Sequence, residues 1–215
     1  NVAASIANSL GNLSDVAIID LDPCYSSINS FYNTSRFTAT LGDKKAPYVT
    51  ALNEKAQFAS GLKRVKQNKS GSVLFGGGTL GGIQKLNEDR FVEELNGLSA
   101  TVSYIVLNLG CISTDMYGVL GEISVAGKLV CVVDGEKMPV KFMAGQLAAC
   151  SIPARDVSWV LVSDNPVTDT SITDDVLTGA NMTSVAEVRA NSRVSTLEIG
   201  QFGRTFGNFV SVLSQ

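Results

Sequence analysis

Short blocks of consecutive apolar residues, rather than alternating ones, set the pattern of this chain. Five of them are rich in valine, isoleucine and leucine: Val16 to Leu21, Ser72 to Phe75, Val102 to Leu109, Lys128 to Val133 and Val157 to Val162. Successive strand residues point to opposite faces, so a strand needs apolar side chains throughout only when both faces are covered. Segments of helical spacing lie between the blocks. Phe91, Val92, Leu95 and Leu98 form one apolar stripe, and Phe142, Met143, Leu147 and Ala148 form another. Alternation of strand and helix closes through right-handed crossovers into a parallel sheet. The pattern therefore predicts an α/β fold, with a doubly wound, mainly parallel sheet and helices on both faces in three layers.

The ends of the chain add further elements. The opening segment VAASIANSLG reads as a helix with Val2, Ile6 and Leu10 on one side and Gly11 as its C-cap. Met182 to Ala190 and Phe202 to Leu213 read as helices, with a short strand near Val194 to Ile199 between them. From Thr38 to Ser70 the pattern supports one helix, around Tyr48 to Ser60, followed by the basic run Lys63, Arg64, Lys66 and Lys69. That run reads as a solvated helix end, or as a contact for phosphate or an acidic lipid surface. No internal repeat or long linker interrupts the 215 residues, and one large domain is expected over 1–215.

Composition narrows the chemistry. With 45% hydrophobic and 17% charged residues and 20 glycines, the chain suits a buried sheet joined by tight turns. A formal charge of -3 gives no general reason for nucleic-acid binding, although a local basic patch is compatible with it. The chain contains no histidine, which excludes a Ser-His-Asp triad, a Cys-His dyad and a His-ligated zinc site. Its four cysteines, Cys24, Cys111, Cys131 and Cys150, are widely spread without CxxC spacing and read as free thiols in a reducing compartment. No stretch approaches the roughly 20 apolar residues of a membrane span, and no signal peptide is evident, so a cytoplasmic protein is expected. The first residue is Asn1 rather than Met, which reads as processing or as a fragment.

Ligands of a doubly wound sheet bind past the carboxyl ends of its strands. The first block ends in Asp20-Leu21-Asp22-Pro23, where alternation puts both carboxylates on one side of an extended chain. Such a pair can hold magnesium through water or position a water for attack on a phosphate. Equally, one of the two can cap a helix starting near Ser26 while the other is solvated. The later blocks end in Asn108-Leu109-Gly110, Asp134-Gly135-Glu136 and Ser163-Asp164-Asn165-Pro166, of which Asp134-Gly135 and Asn165-Pro166 are turn formers in their own right. Gly76, Gly78 and Gly81 fit G-x-G-x-x-G after a strand, but no second strand ends in an acid about 20 residues later. No Gly-Lys-Ser/Thr occurs, so these glycines are not a P-loop.

In order, these segments resemble the MinD/ParA branch of P-loop ATPases over most of the chain. VAASIANSLG resembles the helix that follows the family's Walker A loop, and VAIIDLDP its Asp-x-Asp-Pro strand, with Ser26 and Ser27 where small polar residues are usual. SVLFGGG is similar to its short strand and glycine-rich turn, YIVLNLG to its Walker B strand, and KLVCVVDGE to the strand after that. MPVKFMAGQLAAC and WVLVSDNP then resemble the helix and strand that lead to an adenine-contacting Asn. The resemblance implies a P-loop NTPase-like fold that binds ATP and Mg2+. Asp20 would activate or orient the attacking water, Asp22 would organise the magnesium shell, and Asn165 would read adenine. Gly76, Gly77 and Gly78 would border the pocket, with Asn108 standing where the family has its Walker B aspartate.

The same resemblance implies a homodimer that works with the protein partners of an assembly or localisation system, such as a pilus or partition apparatus, with peripheral membrane or DNA contact as a further partner class. The pilus-assembly members of the CpaE/TadZ type, which tolerate degenerate motifs, are the nearest in character. It also implies either that the Walker A strand and phosphate loop belong ahead of Asn1 or that some other segment fills their place. Two alternatives stand beside an ATPase: a pseudo-ATPase scaffold whose Asp20 and Asn108 sites are filled by protein side chains, and a Rossmann-type small-molecule enzyme using Gly76 to Gly81.

Overall fold

The computed structural model describes residues 2–21, 28, 31–32, 62–77, 88–110, 117–163, 175–190, 193–199 and 206–215. The chain divides into two compact units, Asn1–Asp115 and Met116–Gln215. In the first unit, helix α1 (Val2–Leu10) leads into strand β1 (Val16–Asp20). Strands β2 (Lys63–Gln67) and β3 (Ser72–Gly77), helix α2 (Glu88–Ser99) and strand β4 (Tyr104–Asn108) follow. The sheet order is β2-β3-β1-β4, with β1 parallel to both of its neighbours and β2 antiparallel to β3.

The core of this unit lies along β1. Val16, Ala17, Ile18 and Ile19 are all 0% exposed, so both faces of the strand are covered, as its unbroken apolar run predicts. Fully burying each isoleucine stabilises the fold by about 1.5–3 kcal/mol. Helix α1 packs on β1 and β4, and the small Ala4 and Ala7 on its buried side let its backbone come close to the sheet. Tyr32 closes over α1, its hydroxyl donating to the Ala4 carbonyl at 3.3 Å and to Asn8 Oδ1 at 3.2 Å. Burial pushes the Tyr32 phenol well above its ordinary range.

Gly11 ends α1, its N–H bonding the Ala7 carbonyl at 2.8 Å, yet its φ is not positive, so the expected left-handed cap is not what selects glycine there. Space selects it: a Cβ at Gly11 would sit 2.7 Å from Val73 Cγ2. Gly71 is tighter still, because a Cβ there would lie 2.2 Å from the Ser14 carbonyl carbon. The basic run is also reassigned. Lys63, Arg64 and Lys66 belong to β2, the outermost strand of its sheet among the described residues, with an irregularity between Arg64 and Lys66, and not to a helix end. Charges and a bulge on an outer strand deter pairing with other chains. The helix expected around Tyr48 to Ser60 lies outside the described residues.

The second unit begins with helix α3 (Tyr117–Ala126), strand β5 (Val130–Asp134) and helix α4 (Lys137–Ala149). A 3-10 turn (Ala154–Asp156), strands β6 (Ser158–Ser163), β7 (Met182–Ala190) and β8 (Arg193–Ile199), and helix α5 (Phe206–Leu213) complete it. Its sheet order is β5-β6-β7-β8, parallel except for the β7–β8 pair. Trp159 and Val160 on β6 are 0% exposed, and the Trp159 indole N–H donates to the Ala154 carbonyl at 2.9 Å.

Three expectations change in this unit. Met182 to Ala190 is a strand, not a helix: it lies between β6 and β8, and sheet pairing on both sides outweighs the helical look of AEVRA. On α4 the predicted stripe holds at Leu147, which is buried, but not at Phe142, 67% exposed, or Ala148, also exposed; Val140 is the other buried position. On β5 only Cys131 and Val133 are buried and Val132 is exposed, which is the alternation of an outer strand. Burial pushes the Cys131 thiol up to about 12, and Cys131 and Cys150 are both free. Cys24 and Cys111 lie outside the described residues. Among the described residues no helix is long and apolar enough to cross a membrane.

Candidate functional site

Strands β3, β1 and β4 run parallel, so their carboxyl ends emerge together at one end of the first sheet, where open α/β sheets receive ligands. The register places Gly77, Asp20 and Asn108 side by side in the last row, with Gly76, Ile19 and Leu107 in the row before. Asp20 and Asn108 come from distant parts of the chain, and only the parallel β1–β4 pairing makes them neighbours.

Asn108 Nδ2 donates to Asp20 Oδ1 at 2.7 Å. An ionised carboxylate can only accept, so the nitrogen of Asn108 and not its amide oxygen must face it. The main chain reinforces the pair, since the Leu21 N–H donates to the Asn108 carbonyl at 2.8 Å. Asp20 is 3% exposed, which makes the bond one between a buried charge and a neutral donor; bonds to charged groups of this kind contribute about 1.5–3 kcal/mol. On its other side Asp20 has Gly77, which brings no side chain to the row.

Of the predicted site residues, Asp20, Gly76, Gly77 and Asn108 are thus gathered at one sheet end. Asp22, Gly78 and Asn165 lie outside the described residues. The sequence marks Asp20 and Asn108 only as polar residues that end two strands; the β1–β4 register is what reveals that they pair. Of the Rossmann reading's glycines, Gly76 sits in β3 opposite Ile19, while Gly78 and Gly81 lie outside the described residues. In the second unit, Asp134 and Gly135 form the turn after β5, where the Gly135 N–H bonds the Val162 carbonyl at 2.9 Å. Glu136 stands at the N-cap of α4 without a side-chain capping bond.

The fit of a divalent cation can be judged from the donors. Magnesium demands near-octahedral oxygen coordination, commonly one or two carboxylates completed by water and phosphate oxygens. The described row offers one carboxylate facing the positive end of an amide, and no group of three or more His, Cys, Asp or Glu among the described residues could hold a metal ion. The described donors therefore do not fit magnesium.

No protein-family model matches the chain, and no curated protein matches it significantly. Solved structures do. A plasmid partition protein from Borrelia burgdorferi superposes with a TM-score of 0.65 at 14% identity, covering 98% of this chain and 90% of that one. An iodide-soaked crystal of a plasmid partition protein from the same organism gives 0.64 at 14% identity, covering 99% of this chain and 89% of the other. A plasmid partition protein from Borrelia burgdorferi B31 bound to AMPPNP gives 0.60 at 16% identity, covering 88% and 79%. At these identities the likeness establishes the fold alone: the chain shares the mainly parallel α/β architecture of these partition proteins.

Proposed function

We propose that this chain is a ParA/MinD-like nucleotide-binding protein that dimerises to localise or assemble a larger machine, with plasmid or cargo partition as the leading role and pilus assembly as the other. One observation carries the reading: the row Gly77–Asp20–Asn108 closes the carboxyl end of three parallel strands in a fold shared with a partition protein crystallised with AMPPNP. In this reading the ligand is ATP, Asp20 orients the attacking water, and Gly76, Gly77 and Gly78 border the phosphates. Asn165 reads adenine, and Asp22 serves whatever magnesium arrives with the nucleotide. Hydrolysis needs a lysine-bearing phosphate loop, which these 215 residues do not contain. With such a loop ahead of Asn1 the protein is an ATPase.

The Asn108–Asp20 hydrogen bond favours a second reading, a pseudo-ATPase scaffold that keeps the fold and fills its switch position with its own side chains. Calorimetry with ATP and with AMPPNP on the full-length gene product separates the two. Saturable one-to-one binding is expected. No heat of binding, with an intact α/β circular dichroism spectrum, would leave only the scaffold.

A further inference from the structure

The pairing of Asp20 with Asn108 says more than where a ligand would bind. We infer that Asn108 is a positioning residue for Asp20, and that its amide stands where a divalent cation would otherwise bridge the ends of β1 and β4. The carboxylate is then held by hydrogen bonding and without metal.

Three features support this. The Nδ2–Oδ1 distance of 2.7 Å is that of a short, charge-assisted bond. Asp20 is 3% exposed, so water competes little with the amide for its charge. The two residues are also locked in register, as Cα partners of a parallel pair and through the Leu21 N–H on the Asn108 carbonyl. A cation drawn to Asp20 Oδ1 would have to displace the amide N–H or turn the amide over to offer its oxygen. Either movement gives up a hydrogen bond to a carboxyl group that is itself buried. An aspartate at 108 would reverse the balance: two carboxylates in one row repel each other, and a cation between them relieves the repulsion.

The inference concerns the site of the proposed function but needs no nucleotide, and its test contains none, so its failure would leave nucleotide binding undecided and the reverse also holds. Binding of Mn2+ to the full chain is followed by the loss of the free-ion electron paramagnetic resonance signal, alongside thermal unfolding with and without MgCl2. Wild type and Asp20→Asn should bind Mn2+ equally poorly, and MgCl2 should leave the wild-type midpoint unmoved. Asn108→Asp should bind Mn2+ at least about tenfold more tightly than wild type and regain stability as MgCl2 is added. Stoichiometric Mn2+ binding by wild type that Asp20→Asn abolishes would overturn the inference. So would a folded Asn108→Asp that gains no cation binding. If Asn108→Asp does not fold, the comparison of wild type with Asp20→Asn decides by itself.

Discussion

Asp15 accepts two hydrogen bonds from Ser72, one from its hydroxyl at 2.7 Å and one from its N–H at 2.8 Å. Its own carbonyl takes the N–H groups of Ser103 and Tyr104 at 3.0 and 3.3 Å. One residue thereby ties the start of β1 to the starts of β3 and β4. The Ser72 hydroxyl, then the Ser72 N–H, hold the carboxyl below its ordinary value of 3.8; partial desolvation opposes them and the Arg64 charge adds to them. Because the folded pKa is the lower one, the contribution is fully present above 3.8 and is lost as pH falls through the folded value. Asp15→Ala should therefore lower the unfolding midpoint at neutral pH, and the gap to wild type should shrink as the pH drops below that range. Denaturant titrations of both proteins over an acid series check this; a gap independent of pH would show that the carboxylate charge is not what matters. None of this is legible in the sequence, where Asp15 is simply a polar residue before an apolar run. Asp20 differs, since its place at a strand end marks it at once, although its partner stays hidden.

Ends of elements show a second kind of constraint. Helix α4 finishes with the Ile152 N–H on the Leu147 carbonyl at 2.9 Å and the Ser151 N–H on the Ala148 carbonyl at 2.9 Å. This is the Schellman pattern, completed by Ile152 and Leu147, which are 5% and 1% exposed. Its left-handed residue is Ser151, with φ 61°, where glycine would carry no steric penalty. Ser151→Gly should stabilise the protein by about 1 kcal/mol, reduced somewhat by the greater freedom of glycine in the unfolded chain. The buried Trp159 on the neighbouring strand supplies the fluorescence signal for that measurement, and a loss of stability would refute the account. The element pattern was read correctly where long-range pairing and local pattern agree, as in β1, β4 and β6. It failed for β7, whose residues Met182 to Ala190 have mixed propensity and take their conformation from the strands beside them. On α4 the pattern found the helix and its buried Leu147 but set Phe142 and Ala148 on the buried side, and only packing chooses Val140 instead.

Across the whole molecule, a charge of -3 sets the long-range field, while the lysines and arginine of β2 lie on an outer strand. Counterion release rewards nucleic-acid binding only where several cations face the phosphates together, and here the basic strand is short. At neutral pH the protein should pass through heparin unretained near physiological salt and be held on an anion exchanger. Retention on heparin that Lys63→Gln with Lys66→Gln removes would instead identify β2 as a polyanion contact.

What the amino-acid order determined by itself was the alternation of apolar blocks with helical segments, and hence the α/β class and the polar residues at strand ends. Those follow from local periodicity, which every segment carries alone. Tertiary structure decided which strands pair, that Met182 to Ala190 is extended, that Gly11 serves close packing, and that Asn108 meets Asp20. Each of these depends on residues far apart in sequence being brought into register, and register is a property of the assembled sheet that no single segment encodes.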